Sequence, residues 1–278
     1  MKIALITGSS SGIGMATALE MAQRGYHVIA TMRHLERGTS LVAKAQQLGV
    51  MDRLQLAQLD VTAPYEHVAE IIRDLLSKSG PVDVLVNNAG IGILGPVETL
   101  PEKAWRKVMD TNFFGALAVM QAILPYMRER RQGMIVNVSS VSGRAASAGF
   151  GAYAAAKFAL EAASEALRSE MLPYHVDMVL IEPGNYRTAI TEHEYPADLH
   201  NADVARALYP EVMEGVEEFL NYHRTIADDP VEVARVIANI TENAQPPLRV
   251  PVGRVGEVSA QEWIRRRLRE SWPSMEGE

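Results

Sequence analysis

Short apolar runs alternate with amphipathic stretches along almost the whole of this 278-residue chain. The apolar runs have the length and the β-branched content of strands, and they fall at residues 2–7, 27–32, 54–59, 83–87, 134–139, 176–182 and 248–252. In most of the intervals, hydrophobic positions recur at the three-to-four-residue spacing of helices with one buried face, at residues 13–23, 66–78, 104–128, 153–172 and 231–242. This order predicts βαβ units.

Several of the predicted strands are apolar on both faces. Residues 84–86 (VLV) and 135–138 (IVNV) are examples, as expected of parallel strands covered by helices on each side. We therefore predict an α/β fold with a doubly wound parallel sheet. No linker or fixed repeat interrupts the pattern, so residues 1–278 are predicted to form a single domain. Residues 185–229 are the least regular part and too long for an ordinary connection, which predicts a substrate lid.

The composition narrows the classes of partner. A formal charge of −7 disfavours nucleic acid and anionic membranes as partners, since both require a positive surface. The chain has no cysteine, which excludes disulfides and thiolate metal sites, and no metal is predicted. The N-terminal apolar run is too short for a signal peptide, and no run of about 20 apolar residues follows. A cytoplasmic enzyme acting on a small molecule is expected.

A glycine- and serine-rich loop follows the first predicted strand and opens the first predicted helix. Its glycines allow the backbone to approach a pyrophosphate, and the helix N-terminus offers free N–H groups. No Lys-Ser/Thr pair follows, which disfavours a nucleoside-triphosphate P-loop. We interpret the loop as a dinucleotide-phosphate site, although a plain strand-to-helix turn has the same composition. The candidate residues are Gly8, Ser10, Ser11, Gly12, Ile13 and Gly14.

The end of the second predicted strand bears on which dinucleotide binds. An acidic residue there would bind the adenosine ribose hydroxyls and reject a 2′-phosphate, but this chain has Met32 at that point. Arg33 follows, and a guanidinium forms paired, charge-assisted bonds with phosphate. NADP(H) is therefore predicted to be preferred, with NAD(H) as the alternative if Arg33 is a solvated loop residue.

Tyr153 and Lys157 stand four residues apart in an Ala-rich helical stretch and so share a helix face. The pKa of a tyrosine is about 10, too high for acid–base work near neutrality, and a nearby ammonium lowers it. Ser139 and Ser140 end the strand before this helix, where a doubly wound sheet opens its ligand crevice. A hydroxyl there can polarise a carbonyl oxygen. The set predicts acid–base chemistry on a carbonyl or an alcohol.

Together these residues closely resemble the short-chain dehydrogenase/reductase family, in its single-domain branch with a Rossmann-like fold. The matching motifs are TGSSSGIG at 7–14, NNAG at 87–90, Asn112, Ser140, YAAAK at 153–157, and Pro183-Gly184 followed by Thr188. The resemblance implies an NAD(P)-dependent dehydrogenase in which Tyr153 is the general acid/base and Ser140 holds the substrate oxygen, with Ser139 as the alternative. It also implies that Lys157 binds the nicotinamide ribose and lowers the pKa of Tyr153, and that Asn112 anchors a water in a proton relay.

The same resemblance implies further cofactor contacts. Asp60 and Val61 would flank the adenine, and Thr188, after Pro183-Gly184, would hold the carboxamide. Asn88, Ala89 and Gly90 would line the adenine-ribose side. The family also implies a homodimer or homotetramer, with residues 104–128 and 153–172 as candidate contact surfaces.

The predicted substrate is a medium-sized, largely apolar ketone or secondary alcohol, for which steroids and retinoids are models. This rests on aromatic and large aliphatic residues near the lid, namely Phe150, Tyr186, Tyr195, Leu199, Leu208, Tyr209, Met213, Phe219 and Tyr222. The other interpretation is that most of them pack the lid on the domain or form a subunit interface. Tyr186 stands where the family often has a small aliphatic residue, so it is expected to reshape the pocket.

Two other functions compete with this prediction. A catalytically inactive NADP(H)-binding sensor or scaffold would use the same fold, but the intact Ser140, Tyr153 and Lys157 speak against it. A nucleotide-sugar epimerase of the wider family would need a longer C-terminal region than the chain has after Glu182.

Overall fold

The computed structural model describes residues 1–188, 190, 201–225, 227–255 and 258–271. Its main sheet has seven parallel strands in the order β3-β2-β1-β4-β5-β6-β7. They are β1 Ile3–Ile6, β2 His27–Met32, β3 Leu54–Gln58, β4 Val84–Asn87, β5 Gly133–Val138, β6 Val176–Pro183 and β7 Arg249–Val252. Two short strands, β8 Arg254–Val255 and β9 Val258–Ser259, form a separate antiparallel pair. The predicted doubly wound sheet is confirmed.

Helices cover both faces of this sheet. The helices of the described residues are α1 Gly12–Gln23, α2 Thr39–Gln47, α3 Tyr65–Ser79, α4 Glu102–Met109, α5 Gly115–Arg130, α6 Gly151–Met171, α7 Ala202–Leu208, α8 Pro210–Thr225, α9 Val231–Ile240 and α10 Ala260–Ser271. The single helix predicted over residues 104–128 is instead α4 and α5 joined by a π-helical turn at Asp110–Phe114. Helices α2, α7, α8 and α10 were not predicted.

The core is split by the sheet into two apolar layers. In β1, Ala4 and Ile6 belong to the layer beneath α1 and α9, whereas Ile3 and Leu5 belong to the layer beneath α3 and α5. All four side chains are buried. This two-sided burial is the physical reason that the strands lack polar alternation.

The strand order reverses beside β1, which pairs with β2 on one side and β4 on the other. In doubly wound sheets ligands bind at this switch point, outside the carboxyl ends of the strands. Here the loops that follow β1 and β4 are tied together, because Asn88 donates from its backbone N to Thr7 Oγ1 and from Nδ2 to Thr7 O, both at 3.0 Å. The fold therefore places the glycine-rich loop at the crevice.

A buried polar ladder fixes α6 against the neighbouring strands. Asn87 Nδ2 donates to Asn137 Oδ1 at 2.9 Å, and Asn137 Nδ2 donates to Ser164 Oγ at 2.8 Å. These three residues come from β4, β5 and α6 respectively. The ladder gives the helix that carries Tyr153 and Lys157 a defined position relative to the strand ends.

The segment predicted to be irregular, residues 185–229, contains α7 and α8, so that description was wrong for residues 202–208 and 210–225. Its two ends are joined, because Arg187 N donates to Asp228 O at 2.9 Å and Asp228 N donates to Asn185 O at 3.2 Å. Tyr195 and Leu199, which were predicted to be lid residues, lie outside the described residues.

One described helical stretch, Glu102–Arg130, is long and apolar enough to cross a membrane by length and composition, with a mean hydropathy of 1.2. In the structure, Val119, Met120, Ile123 and Met127 of this stretch lie in the apolar layer against the sheet. Core helices of globular proteins meet the same criterion, and the packing accounts for the composition of this one.

Candidate active site

A cavity of about 740 Å³ lies at the carboxyl ends of the sheet strands. Nearly all the residues predicted from the sequence line it: Gly8, Ser10, Ser11, Gly12, Ile13, Arg33, Asp60, Val61, Asn88, Ala89, Gly90, Ser140, Tyr153, Lys157, Pro183, Gly184 and Thr188. Of the predicted residues, Gly14 and Asn112 are not part of the lining and support it from behind.

The glycine-rich loop brings bare backbone to the cavity wall. Gly8 and Gly12 have φ angles of 69° and 55°, which favour glycine. A Cβ on Gly14 would lie 2.4 Å from Gly8 O and 2.3 Å from Asn88 Nδ2, so only glycine allows α1 to begin so close to the loop. Within the described chain, the N-cap residue Ser11 makes no side-chain capping bond. Gly12 and Ile13, which begin α1, line the cavity, so the N-terminus of this helix is a candidate anion site.

Basic side chains lie at one end of the cavity, after β2. Arg33, His34 and Arg37 all line it. Arg33 Nε donates to His34 Nε2 at 3.1 Å, which among the described residues leaves the two terminal guanidinium nitrogens of Arg33 for a ligand. Arg37 comes from the 3₁₀ turn Leu35–Gly38 and was not predicted, because nothing in the sequence shows that this turn directs it back toward the crevice.

Asp60 lines the same cavity and also caps a turn. Its Oδ1 accepts from Thr62 N at 3.0 Å and from Thr62 Oγ1 at 2.7 Å. The neighbouring Val61 packs against Gly115 at the start of α5, where a Cβ would come within 2.8 Å of Val61 Cγ2. Asp60 and Val61 therefore form part of the cavity wall, and their contacts also stabilise the position of that wall.

Tyr153, Ser140 and Lys157 meet at the opposite end. Tyr153 and Lys157 lie in the first two turns of α6, with Lys157 Nζ 5.7 Å from the centroid of the Tyr153 ring. Lys157 Nζ donates to Val138 O at 2.8 Å. Ser140 Oγ accepts from Ser142 N at 3.1 Å, so its hydroxyl hydrogen is left for another partner, and Ser140 acts to lower the pKa of the Tyr153 phenol. Ser139 also lines the cavity, but its Oγ is buried and, among the described residues, has no hydrogen-bond partner.

Burial dominates the electrostatics of this group. It raises the pKa of Tyr153 to about 12, against the opposing effect of the hydrogen bond with Ser140. The net pKa of Tyr153 therefore lies above its ordinary value, not below it as the sequence predicted, because the cost of burying a phenolate exceeds the stabilisation that it receives. Burial also lowers the pKa of Lys157 to about 8, opposed by the carboxylate of Glu161. At neutral pH, Tyr153 is a protonated phenol and Lys157 an ammonium.

Asn112 is buried inside the π-helical turn Asp110–Phe114. Its Oδ1 accepts from Ile91 N and its Nδ2 donates to Ile91 O, both at 2.8 Å. The side chain therefore fixes the loop after β4. π-turns often occur at functional sites, and the proton-relay role of Asn112 stays a prediction.

The end of the cavity near Tyr153 is largely apolar. Phe150 and Phe219, both predicted, line it and stack edge to face with ring centroids 4.7 Å apart, which joins α8 to the loop before α6. Tyr186 also lines it. Sequence reasoning missed the remaining apolar lining residues, which include Ile91, Leu94, Val141, Val212, Val255 and Trp263. They come from separated elements, so no local pattern marks them.

Other aromatic or aliphatic residues predicted for the pocket serve elsewhere. The hydroxyl of Tyr209 hydrogen-bonds to Glu98, and Leu208 is exposed on α7. Met213 is buried but, like Tyr222, is not part of the cavity lining. None of these four residues lines the cavity, so they do not support the prediction of an apolar pocket.

Comparison with known proteins agrees with this geometry. The short chain dehydrogenase family matches residues 2–198. Human retinol dehydrogenase 8 is 40% identical over 262 residues, covering 88% of this chain and 79% of that protein. Human 17-beta-hydroxysteroid dehydrogenase type 1 is 36% identical over 262 residues, covering 89% of this chain and 76% of that protein.

Solved structures show the same likeness. A short-chain dehydrogenase from Streptomyces avermitilis superimposes with a TM-score of 0.82 at 33% identity, covering 99% of this chain and 95% of the other. An actinorhodin polyketide ketoreductase with NADPH gives a TM-score of 0.73 at 25% identity, covering 89% and 94%. The chain belongs to the short-chain dehydrogenase family and is an NAD(P)-dependent oxidoreductase. The predicted family and the predicted class of enzyme are confirmed.

Proposed function

We propose that this enzyme transfers a hydride between NADP(H) and the ketone or secondary alcohol group of a largely apolar substrate. One observation carries the proposal: a single cavity joins the bare backbone at the N-terminus of α1 to the group formed by Ser140, Tyr153 and Lys157. A phosphate site alone would suit many nucleotides. Here the phosphate site shares a cavity with Tyr153 and Lys157. This arrangement suits a dinucleotide whose nicotinamide end exchanges a hydride with a carbonyl compound.

The chain's own residues fit such a cofactor. The cradle at Gly8 and Gly14, which a Cβ would fill, accepts a pyrophosphate. The terminal nitrogens of Arg33 are available for a 2′-phosphate, with Arg37 lining the same end of the cavity. Lys157 would bind the nicotinamide ribose. When bound, the nicotinamide supplies the hydride for reduction or accepts it in oxidation.

The proton chemistry follows from the positions of two hydroxyl groups. In reduction, the carbonyl carbon gains the hydride while Tyr153 donates its phenolic proton to the oxygen, giving the alcohol. Ser140 donates a hydrogen bond to the same oxygen, since its Oγ already accepts from Ser142 N. The Lys157 ammonium stabilises the phenolate that forms. Burial raises the pKa of Tyr153 to about 12, so the phenol is protonated at neutral pH, and release of its proton depends on the stabilisation that Lys157 gives the phenolate.

The substrate class rests on the lining of the reactive end. Phe150, Phe219 and Trp263 give that end a predominantly apolar surface, and hydrophobic walls with few polar groups favour apolar ligands. Two relatives, retinol dehydrogenase 8 and 17-beta-hydroxysteroid dehydrogenase type 1, are named for apolar alcohols. We therefore favour retinoid- or steroid-sized carbonyls over small charged keto acids, with residues 185–229 serving as the lid.

A substrate panel tests this proposal. Oxidation of NADPH would be followed by absorbance with a retinoid aldehyde, a steroid ketone and small charged keto acids. We expect turnover with at least one of the apolar carbonyls. Turnover confined to the charged acids would overturn the substrate class. Tight NADPH binding without turnover on any carbonyl would overturn the enzyme assignment in favour of a sensor or scaffold.

We also propose that the enzyme is a homodimer or homotetramer. Phe114 in the π-helical turn before α5 and Phe158 on α6 are 52% and 43% exposed, and they lie within the two stretches, residues 104–128 and 153–172, that are expected to form subunit contacts. Light scattering of the wild type should give a mass above that of one chain, and Phe158→Glu should lower it. A monomeric wild type would contradict the proposal.

A further inference from the structure

A carboxylate is buried directly behind the lysine of the proposed active site. Glu161 follows Lys157 by one turn of α6 and is 4% exposed. Carboxylates are almost never this buried unless they are paired. Glu161 Oε2 accepts from Arg249 Nε at 2.9 Å. Its Oε1 is buried and, among the described residues, has no hydrogen-bond partner.

Glu161 belongs to a network that joins three elements of the fold. Arg249 on β7 also donates from Nη2 to Glu165 Oε2 at 2.5 Å, and its Nε lies 3.7 Å from Glu182 Oε1. Glu182 on β6 is fully buried and accepts from Arg144 Nη1 at 3.2 Å. Two arginines face three carboxylates in this network. Arg144 pairs with Glu182, so Arg249 alone serves both Glu161 and Glu165 and balances their charges only in part. Some of the negative charge of Glu161 is thus available to a neighbour.

That neighbour is Lys157. Its side chain is 4% exposed and donates to Val138 O, which satisfies one N–H but supplies no charge. Burial therefore disfavours the ammonium, and the Glu161 carboxylate opposes this effect. The other titratable group that packs on Lys157 from the same helix is the Tyr153 ring, 5.7 Å from Nζ.

We propose that Glu161 is a positioning residue for the reaction: its buried carboxylate keeps Lys157 protonated, so that Lys157 can bind the ribose and stabilise the Tyr153 phenolate. The proposal rests on the proposed function for its catalytic consequence. The geometric basis is that the two side chains lie one turn apart on α6 and are each only 4% exposed, and their interaction can be measured without any ligand.

The network offers a matched control. Glu165 is one further turn along α6 and pairs with the same guanidinium, but its side chain is 61% exposed. Glu165→Gln and Glu161→Gln each remove one carboxylate from Arg249 while keeping the shape of the side chain. The two glutamates differ in burial and in their separation from Lys157 along α6. Because both variants lose an ion pair with Arg249, a change in the Lys157 titration seen only in Glu161→Gln cannot be caused by that loss.

The test is the titration of Lys157, followed through its ¹³Cε resonance in the protein without ligand. We expect Glu161→Gln to move the midpoint of Lys157 down by about one pH unit, and Glu165→Gln to leave it unchanged. Glu161→Asp, which keeps the charge, should restore most of the wild-type midpoint. Equal shifts in the two Gln variants, or no shift in either, would overturn the proposal.

A measurement on the wild type keeps the proposal testable if Glu161→Gln does not fold. The ¹³Cδ resonance of Glu161 should show a step at the midpoint of Lys157, because coupled charges report on each other's titration. The absence of that step would contradict the link. In steady-state assays at pH 8, Glu161→Gln should lose about fivefold in kcat with little change at pH 6, as expected for a one-unit shift. If no substrate is found, the proposed function fails, whereas the NMR result still decides the inference.

Discussion

The phenol of Tyr186 donates a hydrogen bond of 2.9 Å to Glu232 Oε2 on α9, while its ring is only 2% exposed. Gly253 makes room for it, since a Cβ there would lie 2.1 Å from Tyr186 Oη. Tyr186 also forms a bridge with Asp228, at the point where the two ends of residues 185–229 meet. The residue expected to reshape the pocket thus acts on it mainly by anchoring the base of this segment.

Replacing Tyr186 by Phe tests that anchor. The variant keeps the ring but loses the hydrogen bond to Glu232, so we expect a loss of about 1 kcal/mol in the free energy of unfolding. Thermal or urea denaturation measures it, with Tyr65→Phe as the control because Tyr65 is 45% exposed on α3. Equal stability of the Tyr186 variant and the wild type would show that the hydrogen bond does not hold the segment.

Two glycine-to-alanine substitutions test two different roles of glycine. Gly14 allows close packing of the backbone, whereas Gly215 is an ordinary helix residue with low helix propensity. Gly14→Ala would force a methyl group against Gly8 O and Asn88 Nδ2, and we expect NADPH affinity to fall by at least about tenfold as the loop shifts. A Cβ on Gly215 of α8 would have no atom of the other described residues within 4 Å. Gly215→Ala should therefore raise stability by up to about 1 kcal/mol. Calorimetric titration with NADPH and thermal melts report the two effects; unchanged NADPH affinity in Gly14→Ala would contradict the phosphate-cradle assignment.

Arg33 is expected to set the preference between the two dinucleotides. Arg33→Ala removes the charge-assisted bonds to the 2′-phosphate, so kcat/KM with NADPH should fall by about 10- to 100-fold while the value with NADH changes little. Arg73→Ala, on the exposed face of α3, is the control. An unchanged ratio of the two efficiencies in the Arg33 variant would remove this residue from the cofactor site.

The pH dependence of reduction should report Lys157 rather than Tyr153. Burial lowers the pKa of Lys157 to about 8, so its ammonium is present below that pH and lost above it. Tyr153, with a pKa of about 12, stays protonated throughout. We expect kcat for reduction to be flat near pH 6 to 7 and to fall as pH rises through about 8. Lys157→Arg, which keeps its charge, should lack this fall; a fall that persists in that variant would assign it to another group.

The sequence was most informative where one local pattern decides the structure. Residues 84–86 and 135–138 read as buried parallel strands because both faces are apolar, and both are strands of the main sheet. The spacing of Tyr153 and Lys157 placed them on one helix face because α-helical geometry fixes it. The motifs that line the cavity could also be recognised in the sequence, because each of them is a short contiguous segment of the chain.

What the sequence missed depends on contacts between distant residues. Glu161 looks like an ordinary polar residue of an amphipathic helix, and only Arg249, 88 positions away, reveals that it is buried and paired. Trp263 lines the cavity from α10, an element that no motif marks. The pKa of Tyr153 was predicted in the wrong direction because spacing shows a neighbouring charge but not the degree of burial.

The central claim, that Tyr153 supplies the proton in a hydride-transfer reaction, is tested most directly by Tyr153→Phe. This change removes one oxygen from the cavity, so NADPH binding should be nearly unchanged while kcat for reduction of an apolar carbonyl falls by about 10²- to 10⁴-fold. Tyr126→Phe, at a tyrosine on α5 that is 37% exposed, should keep full activity. A Tyr153→Phe enzyme that retained most of the wild-type kcat would contradict the account.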